Sequence, residues 1–600
     1  MCAIFGVLGE FDEATAKLAL SKLSHRGPDY CGFELRNHLF FAHQRLSIID
    51  ADARSHQPLK HEKILLSFNG EIYNFQELRQ ELDFDFKTQS DSEVIIAAYL
   101  KWGADFVQHL RGMFGIALLD DQTLYLFRDR LGKKPLFYLE QTNTFAFASE
   151  IKGLLPFVRK KEMNEDALLS YLTFLAPTPP HTFFKGIRKL GAGEFLVYKN
   201  AEVKIQKYFD LLDAKPNLIT SKDEAVQRLS ALLEESIKLR LHVDVPMASL
   251  LSGGIDSASL NAYALKHGTK LQTYTLGYKE FAKYDERANA KESAAFLGLA
   301  NTEVEICQND FMNASEKVFD ALDEPLNDPA AIPLYLLFEK IKEDGYKVVL
   351  SGEGSDELFL GYRQYFEYLD IEQAANLGHK NWLKKYFRAN FSMNREWEWY
   401  KRVFDATLLF RTSGEKFTDL QKNLLLRRNV KDNESLKYLK NYRDTYENSA
   451  HFDESIWYSY IDLNLFQAEH FLTKLDRVSM AHSIESRTPF LDHKLASCVF
   501  SIAPHLRYED KITKSLLKEI MKTQLSEKIL SRKKKGFANP YMEYLLAANG
   551  LELIKEVNAQ TGLFHESEIE KYIQTATKGS FKQHLWGLYV LSVWIKKHLL

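Results

Sequence analysis

The sequence predicts two consecutive domains: a layered α+β domain over residues 1–210, then an α/β domain on a parallel sheet with a helical C-terminal part over residues 211–600. Three observations predict it. At roughly 100 to 200 residues per domain, 600 residues require more than one core, and 45% hydrophobic residues can fill several. Up to about residue 190, short apolar segments lie between turn residues, the pattern of antiparallel sheet. Beyond residue 210, strand-like and helix-like segments alternate, as a parallel sheet requires.

The chain opens on Met1 and the apolar run Cys2-Ala3-Ile4-Phe5-Gly6-Val7, too short and without the basic lead-in expected of a secretory signal. Residues 114–119 and 124–127 flank the turn Asp120-Asp121-Gln122, and residues 144–148 alternate polar and apolar, so both regions read as antiparallel strands. Residues 93–102 read as an amphipathic helix. The proline-dense Ala176-Pro177-Thr178-Pro179-Pro180-His181 reads as a connection, and the strand-like 193–198 still packs on the first domain, placing the boundary near 210. Strand and helix then alternate: 247–251 before 257–265, 271–276 before 287–297, and 347–350 before Glu357. From about 450 the pattern is mainly helical, with long periodic segments at 512–523 and 584–599.

Charge nearly cancels, 78 basic against 81 acidic residues, so bulk electrostatics point to neither nucleic acid nor a membrane surface. The short basic run 532–535 reads as a solvated loop. Cys2, Cys31, Cys307 and Cys498 are scattered without zinc spacing, which suits a reducing cytoplasm. No apolar stretch approaches the ~20 residues that cross a bilayer.

Chemistry concentrates first at Cys2. Removing Met1 would put a thiol and a free α-amine on one residue, and an amine of pKa roughly 7.7 to 8 can relay the thiol proton. Such a thiol, attacking an acyl group, also needs partners for the polar end of its substrate and for the oxyanion. Arg45, in Arg45-Leu46-Ser47-Ile48-Ile49-Asp50, offers a fork for an α-carboxylate. Asn69-Gly70-Glu71, following a strand over 64–68, can aim an amide and a backbone N–H at one oxygen. Asp91, at a helix start, can meet an α-ammonium. Singly, each has a plainer reading: Asn-Gly as a turn, Asp91 as an N-cap, Arg45 as a surface ion pair.

Together with Cys2, the segments Arg26-Gly27-Pro28-Asp29, Arg45 to Asp50, Asn69 to Asn74 and Arg128-Asp129-Arg130-Leu131-Gly132 resemble the class II glutamine amidotransferase domain. That resemblance implies an αββα N-terminal-nucleophile sandwich with Cys2 as nucleophile and Asn69 and Gly70 as oxyanion hole. It also implies glutamine held by Arg45, Leu46, Ser47, Ile48, Ile49, Glu71 and Asp91.

In the second half, a strand runs into Ser252-Gly253-Gly254-Ile255-Asp256-Ser257 and then a helix, a cradle suited to phosphate but lacking the Gly-Lys-Ser/Thr of a Walker loop. A second strand ends in Ser351-Gly352-Glu353-Gly354-Ser355-Asp356-Glu357, where carboxylates can accept Mg²⁺ and supply a base. The first of these resembles the pyrophosphate loop of ATP pyrophosphatases.

With Asp323-Glu324-Pro325, Asp328 to Pro333, Leu475 to His482, Glu485 to Asp492 and Lys533-Lys534-Lys535-Gly536-Phe537, the whole chain resembles the glutamine-dependent asparagine synthetases. The resemblance implies ATP and Mg²⁺ as cofactors, and glutamine and aspartate as small-molecule substrates, with a homodimer as the candidate assembly. Ser252, Gly253, Gly254, Asp256 and Ser257 would take pyrophosphate, Leu251, Leu276, Ser351 and Gly352 the nucleotide, and Lys514 the phosphates. Asp256 and Asp356 would take the metal, and Glu353 would act as base. The family commonly has Phe-Gly-Gly-Tyr where this chain has Phe359-Leu360-Gly361-Tyr362, so the backbone or the acceptor pocket is expected to differ there. That keeps amidation of another carboxylate, such as a uronic acid or peptide, open as an alternative; the alternative of another class is a non-catalytic glutamine-binding protein, against which intact Cys2, Asp256 and Glu353 argue.

Overall fold

The computed structural model describes the chain apart from residues 1, 391, 393, 408–414, 428–433 and 534–537. Most of the segment 533–537 therefore lies outside the described residues.

Two six-stranded antiparallel sheets form the first half. One runs in the order Ile187–Lys189, Phe137–Gln141, Thr144–Ala148, Ala3–Gly9, Leu39–Arg45, Tyr30–Arg36. The other runs Glu202–Lys207, Glu194–Lys199, Thr123–Arg128, Gly112–Asp120, Ile64–Ile72, Leu59–His61. Alternation along each strand decides the layers. Ile4, Phe41, Leu65, Leu119, Leu126 and Phe147 meet between the sheets. Ala3, Phe5, Val7, Phe40 and Ala42 face the other way and pack with Ala16, Ala19 and Leu20 of the helix Glu13–Ser21. Ile64, Leu66 and Phe68 pack outward with Val94 and Ile95 of the helix Ser92–Trp102. The result is an αββα sandwich, the layered α+β domain that the pattern predicts in the form that the resemblance implies.

The hairpin closes with Asp120 opposite Thr123 and Asp121 at φ 53. Two expectations change here. Residues 92–98 are buried without interruption, so the helix read as amphipathic is half-solvated only toward its C-terminal end. The proline-dense stretch is a connection, but one inside the first half, buried at 176–178 and exposed at Pro180: it leads from the helix Glu165–Phe174 back to the strand Ile187–Lys189.

The second half holds a five-stranded sheet ordered Asn301–Ile306, Gln272–Tyr278, Met247–Leu250, Val348–Leu350, Glu485–Arg487, with every pair parallel. Helices Ile255–Lys266, Arg287–Leu297 and Ala331–Glu343 connect its strands. Two of these strands escape the sequence pattern. Asn301–Ile306 is a polar edge strand, and Glu485–Arg487 is three residues of Glu, Ser and Arg with no apolar signature. Helices dominate from Gln364 onward, earlier than expected. The segment 512–523 is only partly helical: Lys514 sits at φ 56 and the helix spans Ser515–Met521. Lys514 leaves the helical region because its N–H must reach the Phe359 carbonyl at 3.1 Å. Lys582–His598 forms the long C-terminal helix.

The halves meet through buried ion pairs. Arg26, fully buried, donates to Glu150 at 2.7 Å and to Asp476 at 2.8 Å, while Arg477 meets Glu150 at 2.9 Å. Arg128 and Lys189 both reach Glu469 at 3.0 Å, and Arg111 and Arg240 reach Asp492 at 2.9 and 3.2 Å. Burial alone would push the Asp476 carboxyl up, but Arg26 and Lys134 hold it below its ordinary value. Asp476→Ala, which leaves Arg26 short of a partner, should cost about 3–5 kcal/mol of stability. Denaturant unfolding of the purified variant checks this, and an unchanged midpoint would show that the network does not hold the halves together.

Candidate active sites

Cys2 lies at the start of a central strand and is buried. Its backbone nitrogen, which becomes the α-amine if Met1 is removed, donates to Asn69 Oδ1 at 3.0 Å. Its Sγ lies 3.9 Å from the Leu46 carbonyl, and burial pushes the thiol's pKa up. A thiol so placed needs a base nearby to become a nucleophile.

Asn69 and Gly70 do not follow the strand as expected; they belong to it. The strand Ile64–Ile72 runs through them, with Asn69 opposite Gly115 and Gly70 opposite Phe114. Asn-Gly is therefore not a turn here. The glycine is required by space, since a Cβ at Gly70 would stand 2.0 Å from the Met113 carbonyl oxygen. Among the described residues Asn69 Nδ2 has no hydrogen-bond partner, which leaves a buried donor beside Cys2.

Arg45, Leu46, Ile48, Ile49, Gly70, Glu71 and Asp91 line one cavity with Cys2. Ser47 does not line it; its N–H donates to Asp29 at 2.8 Å. The Arg45 guanidinium is held at the cavity wall by the Asp50 and Asp52 carbonyls and by His56 Nδ1 at 2.7 Å. His56 therefore accepts at Nδ1 and is neutral, and burial followed by Arg45 lowers its pKa. Asp91 occupies an N-cap position without capping: it accepts from the Ile72 N–H at 2.8 Å, toward the cavity. Burial raises Asp91 to about 6 and raises Glu71 well above its ordinary value.

The phosphate-type loop lies between the strand Met247–Leu250 and the helix Ile255–Lys266. Gly253 takes φ 79, and a Cβ there would stand 2.5 Å from the Asn289 backbone, so only glycine lets the loop pass. Leu251, Ser252, Asp256, Ser257, Leu276, Ser351, Gly352, Glu353 and Asp356 line one cavity. Gly253, Gly254 and Lys514 line a second that shares Ser252 and Asp256. Lys514 Nζ lies 2.6 Å from Asp256 and 2.8 Å from Asp356. Gly361 must be glycine, because a Cβ would stand 2.0 Å from Asp356 Oδ1. Leu360, by contrast, accepts φ 52 and buries its side chain in the core, away from both cavities. Its side chain therefore lines neither cavity, and what the departure shows is in the backbone, which carries a leucine at positive φ.

Four residues that the sequence reading passed over join these sites. Lys474 lines the nucleotide-side cavity beside Glu353 and pairs with Asp328 at 2.7 Å. Arg532 holds the Gly253 carbonyl and the Ser293 hydroxyl. Glu485 lines the Cys2 cavity, and Arg487 reaches Glu71 from the parallel sheet. Lys474 adjoins a quoted segment, and the other three lie in or beside one; burial and charge were the available signals.

The sequence matches the family model for the glutamine amidotransferase domain over residues 1–209 and that for asparagine synthase over residues 228–596. The chain belongs to the asparagine synthase family. It is 31% identical to asparagine synthetase [glutamine-hydrolyzing] 1 of Bacillus subtilis, covering 99% of this chain and 96% of that one. It is 32% identical to a putative asparagine synthetase [glutamine-hydrolyzing] of Mycobacterium tuberculosis, covering 97% and 94%. Amidase chry2 of Gibberella zeae is 30% identical, over 87% and 84%. As a member of this family the chain is an ATP-using ligase with a glutamine amidotransferase domain. No helix among the described residues is long and apolar enough to cross a membrane.

Gly70→Ala should destabilise the sandwich by about 1–3 kcal/mol, the usual range for overpacking a filled core. Thermal or denaturant unfolding reads this, and a variant as stable as the parent would show that strand spacing is not what the glycine serves.

Proposed function

We propose that the chain makes L-asparagine from L-aspartate, L-glutamine and ATP, releasing L-glutamate, AMP and diphosphate, with its glutamine and nucleotide chemistry divided between the two cavities. The observation that carries this reading is the convergence of Cys2, Gly70, Glu71 and Asp91 on one cavity, with Asn69 hydrogen-bonded to the Cys2 nitrogen beside it, and of both glycine-rich strand ends on another. The names of its relatives favour aspartate as acceptor, as does the placement of Leu360 in the core.

In the first cavity the Cys2 thiol gives its proton to the α-amine freed by loss of Met1, an amine oriented by Asn69 Oδ1. The thiolate attacks the glutamine amide, and Asn69 Nδ2 with the Gly70 N–H receives the oxyanion. Loss of ammonia leaves a glutamyl thioester, which water hydrolyses to glutamate. Arg45 faces the α-carboxylate, while Glu71 and Asp91 face the α-ammonium. In the second cavity the aspartate side-chain carboxylate attacks the α-phosphorus of ATP, giving β-aspartyl-AMP and diphosphate. Glu353 takes a proton from ammonia as it displaces AMP. An internal passage across the domain interface would keep ammonia from water.

Asp256 and Asp356 converge on one point, the Lys514 ammonium, and two carboxylates plus phosphate oxygens are a set that suits Mg²⁺. Among the described residues no group of three or more His, Cys, Asp or Glu could hold a metal alone, in keeping with an ion that arrives with the nucleotide. Bound there, Mg²⁺ would neutralise phosphate charge. All four cysteines are free, which favours a cytoplasmic setting.

The test is diphosphate release from MgATP and glutamine with and without L-aspartate, with the amide identified by mass. Aspartate-dependent release and asparagine support the reading; glutaminase activity indifferent to aspartate would move it to another carboxylate acceptor. Cys2→Ala should abolish glutamine-dependent synthesis while added ammonia still supports it, and loss of both would sink the division of labour. Glu353→Gln should reduce amide formation by about 10²- to 10⁴-fold, the usual worth of a general base, and leave glutamine hydrolysis near the parent rate. Retained synthesis would place the base elsewhere.

A further inference from the structure

Glu71 lies on the sandwich strand Ile64–Ile72, yet its ionic partner comes from the other half of the molecule. Arg487, fully buried on the strand Glu485–Arg487, brings its NH2 to 3.1 Å from Glu71 Oε2. The same guanidinium donates from Nε to Glu485 at 2.7 Å and from NH1 to the carbonyls of Arg240 at 2.8 Å and His242 at 2.9 Å. Its own carbonyl accepts from the Ser351 N–H at 2.9 Å, at the head of the loop that carries Glu353. Glu485, two residues away, lines the Cys2 cavity directly. One wall of the glutamine cavity is therefore built by the nucleotide-binding sheet.

We propose that Arg487 is a positioning residue for glutamine, acting through Glu71 from the opposite domain, so that the glutamine pocket is a composite of both halves. The inference rests on the glutaminase reading of the Cys2 cavity. Among the described residues Glu71 is faced by Arg487 and Glu485 from the parallel sheet, by Asp91 from the loop before the helix Ser92–Trp102 and by Tyr73 near it in sequence. Burial and the neighbouring Asp91 and Glu485 carboxylates push Glu71 up, and the Arg487 guanidinium opposes them from a fixed direction, drawing the carboxyl back toward the charged form that an ammonium ion needs. Lysine in its place would keep a positive charge but could not span two carboxylates and two carbonyls.

The test is calorimetric binding of glutamine to the full-length Cys2→Ala protein, alone and combined with changes at 487 and 485. Arg487→Lys should weaken glutamine binding about tenfold or more while MgATP binding stays within about twofold. Glutamine binding fades as pH falls through the titration of the Glu71 and Asp91 pair. Arg487→Gln removes the cation that lowers Glu71, so its acid limb should move to higher pH. Glu485→Gln removes a facing carboxylate and should move the limb the other way; being a smaller change, it also serves if Arg487→Gln fails to fold. Glutamine affinity and acid limb that ignore both positions would overturn the inference. Equal loss of glutamine and MgATP binding would overturn it as well, by making Arg487 a general structural support. No glutamine binding by Cys2→Ala itself would overturn the glutaminase reading beneath it.

Discussion

Arg26 is the group on which the rest of the structure turns. Its Nε donates to the Cys2 carbonyl at 3.1 Å, and its NH1 bridges Glu150 of the sandwich and Asp476 of the helical part. One guanidinium thus fixes the backbone of the proposed nucleophile and the docking of two domains. Buried ion pairs add little net stability over apolar packing, because desolvation consumes most of the Coulombic gain. Their value here is orientation: a fork with a fixed geometry sets register where apolar contacts could slide. The repetition of the device at Arg128, Arg111 and Arg487 ties the sheets of the sandwich to the second half at several points, with each arginine buried and each facing a carboxylate across the interface.

The strand-and-helix alternation and several helices are legible in the sequence because burial on one face leaves a period. The helix Arg287–Leu297 falls where the pattern places it, and the hairpin at Asp121 is written in its flanking residues. What escapes is structure held by charge. Glu485–Arg487 carries no apolar alternation, yet it is a fully buried strand in which Arg487 pairs with Glu485 of the same strand and with Glu71 across the interface. The start of the helix Ser515–Met521 is hidden for a similar reason. Its preceding residue obeys the demand of two carboxylates and one carbonyl rather than helix propensity.

The candidate sites show the same division. Residue types at the glycine-rich loops are readable because backbone crowding admits nothing else: a Cβ at Gly70, Gly253 or Gly361 would collide with backbone or with Asp356. Partners supplied from distant sequence are not readable. Asn69 looks like half of a turn until Gly112–Asp120 pairs with its strand, and Asp91 looks like a cap until Ile72 presents its N–H. Leu360 is the reverse case. A departure that promises a different pocket becomes a left-handed residue whose side chain is absorbed by the core, while the steric requirement rests on the glycine that follows.

The two chemistries proposed for the two cavities have a geometric reason to share a strand. The parallel sheet ends its strands in the loops that hold Ser252 and Glu353, and the strand Glu485–Arg487 lies beside the second of these with Leu350 opposite Arg487. A shift of that strand would move the Ser351 contact and the Glu71 contact together, since one residue makes both. Any ligand that favours one position of the strand in either cavity therefore changes the free energy of the other, and by linkage the effect on binding is reciprocal. The opposing requirement is rigidity, because Arg487 is held by two further carbonyls that belong to neither cavity. The balance favours a strand that fixes both pockets in one relative position over one that slides between two, since displacement would leave a buried guanidinium and two carboxylates unpaired at a cost of several kcal/mol.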